Sequence, residues 1–203
     1  MIRRSLLMIA VLALAAGAAS AQDTWVVDKP HSEVSFQVRH FVTKVRGRFT
    51  EFTGTVVTHA AKPEASSVEF AISSASIDTG NEGRDKHLRS ADFFDVERFP
   101  EISFRSAAVK PLGKDLYEVK GTLILHGVSR EITLLVNFAG TMVTKGRDGK
   151  ESAKAGFSIE TTIDRKDFGI VWNRALDTGG AMLGDEVQVS INLEMNKAEP
   201  QGR

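Results

Sequence analysis

The sequence predicts an all-β protein, an eight-stranded antiparallel barrel with a short helical insertion around residues 81–97. Three observations carry this. Apolar and polar residues alternate with period two in eight stretches, so nearly every strand has one dry and one wet face. Strands of a parallel sheet, covered on both sides, would show continuous apolar runs instead. Glycine-bearing segments, Gly113-Lys114-Asp115, Gly127-Val128-Ser129 and Gly146-Arg147-Asp148-Gly149, supply the tight turns of an antiparallel meander. One segment, from Arg84 to Pro100, breaks the alternation, with charge crowded in its first half and aromatics in its second. Closing the meander into a barrel removes its edges, and eight strands enclose an interior that side chains just fill or that holds one small ligand. A two-sheet sandwich fits the alternation almost as well.

Taken in order, residues 1–21 read as a cleavable secretory signal: Arg3 and Arg4, an apolar run from Leu6 to Ala16, and Ala19-Ser20-Ala21 before a cut at Gln22. The apolar run is shorter than the ~20 residues of a spanning helix. The chain has no cysteine, which excludes a lipoprotein anchor, disulfides, thiolate metal sites and a cysteine nucleophile. No later stretch is apolar enough to span a membrane, so residues 22–203 are expected as one exported domain resting on its core, without stable membrane insertion.

The strand signals follow. Val34, Phe36 and Val38 share a face; so do Phe52, Gly54 and Val56, then Val68, Phe70 and Ile72. Ile102 and Phe104 come after the insertion, then Tyr117, Val119, Leu123 and Leu125. Ile132 to Phe138, Phe157 to Ile163, and Val187 to Met195 complete the eight. Within the insertion Asn81 is an N-cap for a helix running to Arg89, and Pro100 ends helical structure. A second irregular stretch, Asp164 to Gly184, is too long for a tight turn, and its apolar side chains suit a loop over one barrel mouth.

The charge balance, 26 Lys and Arg against 26 Asp and Glu, drops to about −2 once Arg3 and Arg4 leave with the signal. This gives no electrostatic case for nucleic acid or for an anionic membrane surface. Histidines 31, 40, 59, 87 and 126 show no zinc-type spacing and read as turn and strand-end hydrogen-bonding groups, although ligands scattered in sequence can converge in space. No G-x-S-x-G motif is present, and Gly80-Asn81-Glu82-Gly83 lacks the context of a phosphate loop. Arg84-Asp85 and Arg165 with Asp167 suit ion pairs that pin the irregular segments. No nucleophile is identifiable, so no enzyme is expected, and no catalytic or metal-binding residue. What remains is apolar: 12 phenylalanines against one tyrosine. A packed core and a lined tunnel write the same periodicity, and alternation does not separate them.

Several separated motifs resemble the YceI-like family. They are Asp28-x-x-His31-Ser32 with His40, Gly47-x-Phe49-x-x-Phe52-x-Gly54, and Ser76-Ile77-Asp78-Thr79 before Arg84-Asp85-x-His87-Leu88. Asp92-Phe93-Phe94-Asp95-x-x-x-Phe99-Pro100, Gly121-Thr122-Leu123 through His126-Gly127-Val128, and Arg165-x-Asp167-Phe168-Gly169 continue the match. The stretch 173–183 carries least of it. The resemblance implies an extended lipocalin-like barrel with a long hydrophobic cavity, exported to the periplasm, that binds a polyisoprenoid lipid or isoprenoid quinone without a cofactor. A homodimer is compatible with such barrels, though no exposed apolar stripe argues for one.

Alternation combined with that fold places Phe36, Val38, Phe70, Ile72, Phe104, Leu123, Leu125 and Phe157 on the cavity lining. Phe93, Phe94, Phe168 and Trp172 would close its ends, and Arg84, His87 and Arg165 are candidate head-group contacts. A ~40-carbon chain at roughly 0.3 kcal/mol per heavy atom gains about 12 kcal/mol, a nanomolar affinity. Two other roles compete: an interaction module for a membrane electron-transfer partner, and a histidine-based metalloenzyme.

Overall fold

The computed structural model describes residues 22–145, 149, 151–175 and 181–199. The expected signal at 1–21, the turn residues 146–148 and the loop centre 176–180 lie outside them. The described residues form eleven strands: β1 (Gln22–Val27), β2 (Glu33–His40), β3 (Thr43–Phe49), β4 (Phe52–His59), β5 (Ser67–Ser73), β6 (Ile77–Asp78), β7 (Glu101–Pro111), β8 (Leu116–Leu125), β9 (Val128–Lys145), β10 (Glu151–Asp164) and β11 (Leu183–Lys197). One helix, α1 (Glu82–Arg89), follows β6.

Eight strands close a ring in the order β1-β4-β5-β7-β8-β9-β10-β11, every neighbour antiparallel. The closing seam is β1 on β11, with Trp25 opposite Lys197 and Val27 opposite Met195. That seam decides for the barrel over the sandwich.

Strand membership differs from the sequence expectation. The strand that closes the ring is β1, which the alternation did not mark, rather than β2. Long β11 serves both: Met195–Lys197 pairs with β1, while Leu183–Asn192 pairs with β2. The Lys29–His31 turn, with Pro30 inside it, separates the two short strands, and β2-β3-β6 extends one wall beyond the ring. β1 runs Gln-Asp-Thr-Trp-Val-Val, three polar residues and then three apolar ones, so it shows no alternation, and the two residues of β6 are too few to show a period. In β3, Gly47 stands where an apolar residue would have completed the row Val45-Gly47-Phe49.

The insertion opens with the expected helix to Arg89 and ends in turns. Asn81 does cap α1, its side chain accepting from the Arg84 amide at 2.9 Å. The helix stops at Ser90, which is extended and whose hydroxyl donates to the His87 carbonyl. Residues 91–99 continue as turns, with the Phe94 amide on Leu88 O and the Phe99 amide on Asp95 O.

The interior has two halves. Around the β1 seam, Trp25, Val56, Val119, Ala155, Leu193 and Met195 are buried against one another, and Phe138 and Phe157 meet at 5.3 Å between ring centroids. Towards β2, β3 and α1 the inward side chains instead surround open space. The choice between packed core and lined cavity is therefore answered differently at the two ends.

Candidate functional site

The open half is a cavity of about 300 Å³, walled by the inward faces of strands from β2 round to β11 and closed on one side by α1 and the turns after it. Alternation puts Phe36 and Val38 of β2, Phe70 and Ile72 of β5, Phe104 of β7, and Leu123 and Leu125 of β8 on this wall. Phe93, Phe94 and Trp172 come from the irregular segments to the same cavity. Phe93 and Trp172 lie 5.1 Å apart, and Phe94 reaches Phe36 through Phe49 at successive centroid distances of 5.8 and 5.7 Å.

Phe157, expected on the lining, and Phe168, expected to close an end, do not border the cavity. Phe157 packs in the filled half against Phe138, because its strand crosses both halves and alternation cannot report height along the barrel. Phe168 is buried in the turn Arg165–Phe168, where its carbonyl lies 3.1 Å from His126 Nδ1. The wall also includes residues not singled out from the sequence. Ile102, Ile132, Val187, Val189 and Ile191 share the inward faces already marked; Ile77, Leu88 and Met182 lie in segments without a usable period.

Glycines give the phenylalanine rings their places. A Cβ on Gly47 would lie 2.4 Å from Phe36 Cζ, one on Gly54 2.4 Å from Phe70 Cδ2, and one on Gly121 2.6 Å from Phe104 Cζ. Gly47 faces Phe36 and Gly54 faces Phe70 in strand register. Each ring therefore rests in the space of an absent side chain.

Polar groups gather at one end. Arg84 is exposed yet lines the cavity, which marks an opening there. Its guanidinium donates to Thr79 Oγ1 at 2.7 Å and to Thr79 O at 2.8 Å, while buried Asp85 accepts from the Thr79 amide at 3.0 Å. His87 Nε2 pairs with Asp92 at 2.8 Å, and its ring meets Phe93 and Trp172 edge-on. Arg165 is buried and donates to Gly184 O, Ile170 O, Trp172 O and Asp185 Oδ1. Four of its five N–H groups are thus committed to the protein, which leaves little for a head group. The Lys166 ammonium at 2.8 Å, joined by Arg165, holds Asp185 below the ordinary carboxylate value of 3.8.

Asp28, His31 and Glu194 present ligand atoms within 4.8 Å of one another. The Lys154 ammonium already bridges both carboxylates, at 2.7 Å from Asp28. It lowers the Asp28 pKa by hydrogen bonding, and its own is raised in turn, first by Asp28 and then by Glu194. The group is a clamp that ties the turn between β1 and β2 to β10 and β11. Among the described residues no helix is long and apolar enough to cross a membrane.

The model of the YceI-like domain matches residues 25–195. A UPF0312 protein of Azotobacter vinelandii is 38% identical over 184 residues, covering 89% of this chain and 90% of that protein. The crystal structure of BcnA from Burkholderia cenocepacia superposes with a TM-score of 0.70 at 27% identity, over 83% of this chain and 98% of that one. A domain from Saccharophagus degradans, described as polyisoprenoid-binding and implicated in plant cell wall breakdown, has a TM-score of 0.62 at 18% identity, over 86% and 98%.

Proposed function

This chain belongs to the YceI-like family, and from that premise we propose that it is a hydrophobic-barrel binding protein that carries an isoprenoid lipid or isoprenoid quinone in the periplasm. The observation that carries this reading is the wall itself. It is apolar along its strands, and Thr79, Arg84 and His87 stand together at the opening, where a head group can meet water. Such a site gains its free energy by removing hydrocarbon from water, at about 25 cal/mol per Å², and leaves chain chemistry poorly discriminated. The polyisoprenoid ligand described for the Saccharophagus degradans domain agrees with this class, although at 18% identity that likeness carries the fold alone.

The enclosed volume bounds the ligand. About 300 Å³ lies at the small end of the range for ligand pockets. A chain of ~40 carbons would fill it and continue out through the opening beside Arg84.

Trp172 on the wall and Trp25 in the filled half are the chain's two tryptophans. Titration with an isoprenoid quinone should therefore quench part of the fluorescence, saturably and near one equivalent. The part quenched should be missing from Trp172→Phe. Quenching that never saturates would overturn the reading.

A further inference from the structure

We infer that the rim of the cavity opening docks on a bilayer carrying anionic lipid. The loop joining β2 to β3 is two residues long, because His40 pairs directly with Thr43. Such loops favour Asn-Gly or a leading glycine, since positive φ is needed. Here the residues are Phe41 and Val42, and Phe41 takes φ 51°. A bulky side chain in the left-handed region is strained, and strain of this kind collects at functional positions. Burial offsets little of the strain: Phe41 meets the His40 ring edge-on at 4.6 Å yet is 44% exposed, and Val42 is 96% exposed.

These tips lie beside the cavity, and Val171 adjoins Trp172, whose ring meets His87 at the opening. The Phe41 amide donates to Met182 O at 2.8 Å, and the Met182 amide to Arg174 O, so the turn lies beside the loop that bears Val171, 64% exposed. Immediate neighbours of the tips, His40, Ile170, Trp172 and Met182, line the cavity. β3 is paired beyond β2 only at Arg48 and Phe49, which leaves its Thr43 end an edge among the described residues.

Charge selects the partner. The chain's overall balance conceals a stretch, residues 34–50, with Arg39, Lys44, Arg46 and Arg48 and no acidic residue. Arg48 pairs with Asp78. Arg39 and Lys44 donate to neutral oxygens, and neither they nor Arg46 pair with a carboxylate among the described residues. Apolar tips flanked by unneutralised cations suit an interface of acyl chains under anionic head groups, where each cation strengthens partitioning roughly fivefold. Overall charge gave no electrostatic case for such a surface; its local distribution does. Docking here would present the cavity opening to the membrane from which an apolar ligand comes, and to that extent the inference rests on the proposed function.

The test is flotation of the purified protein with vesicles of phosphatidylcholine alone or mixed with phosphatidylglycerol. The protein should float with the mixed vesicles only, less so as salt is raised. Val42→Asp should weaken partitioning about tenfold, while Leu135→Asp, a change at an exposed apolar residue on β9, should not. Absent flotation, equal flotation with both vesicles, or Val42→Asp behaving as wild type would each overturn the inference. Quinone titration without vesicles separates the two readings: Val42→Asp should bind quinone normally. Quinone binding without flotation removes the docking surface alone, and flotation without quinone binding removes the ligand assignment alone.

Discussion

Phe36 and Gly47 face each other across β2 and β3, and the ring of one occupies the place of a side chain on the other. Gly54 with Phe70 repeats the relationship, and Gly121 gives the Phe104 ring the same room from a diagonal position, its own register partner being Ser106. The three rings are large enough to fill much of the open half if they pointed straight in. The glycines let them lie along the wall, so small residues on the strands set the width of the cavity.

Gly47→Ala should press the Phe36 ring inwards. We expect it to lose about 1–3 kcal/mol of stability and a larger share of its ligand capacity. Gly121→Ala should cost more stability, because there the new methyl also meets a backbone oxygen, Arg105 O at 2.4 Å, which cannot swing away. Urea denaturation beside quinone titration checks both.

Arg165 holds the covering loop to the start of β11. Arg165→Met would leave the carbonyls of Ile170, Trp172 and Gly184 without their donor, at about 1–3 kcal/mol for each that water cannot reach. The variant should be strongly destabilised, with proteolysis first appearing between residues 165 and 185. Unchanged urea stability would contradict this role.

The clamp of Asp28, Lys154 and Glu194 makes stability depend on pH with a definite sign. The Asp28 pKa is lowered, so its contribution is present above the ordinary 3.8 and is lost as pH falls through the folded value below that. The Lys154 pKa is raised, so its contribution is present below 10.5 and is lost as pH rises through the higher folded value. Lys154→Met should be less stable at neutral pH by an amount between the ~1 kcal/mol of a surface pair and the ~3 kcal/mol of a buried one. It leaves two carboxylates facing each other, so its stability should rise on mild acidification while that of the wild type does not. Thermal melts across acidic and neutral buffers read the sign.

Much of this was legible in the sequence. The strands β2, β4, β5 and β7 to β11 all carried an alternating signal, and so did most of the cavity-facing residues on them. Asn81 announced α1. What stayed hidden depends on contacts distant in sequence. The closing role of β1 rests on pairing Trp25 with Lys197, which no local pattern encodes. Phe104 and Phe157 are equally inward-facing, yet one lines the cavity and the other fills the core, because periodicity gives direction but not height. Phe168 and Arg165 lie in a segment with no period, and only the fold shows that both are used internally.

The most direct test is mass spectrometry of an organic extract of the protein, expressed with residues 1–21 and purified without detergent. The account predicts a near-stoichiometric isoprenoid lipid or quinone, absent from Phe104→Arg and Leu123→Arg proteins that still fold, since each places a cation in the apolar wall. An empty extract from folded wild-type protein that also takes up no added long-chain isoprenoid would contradict it.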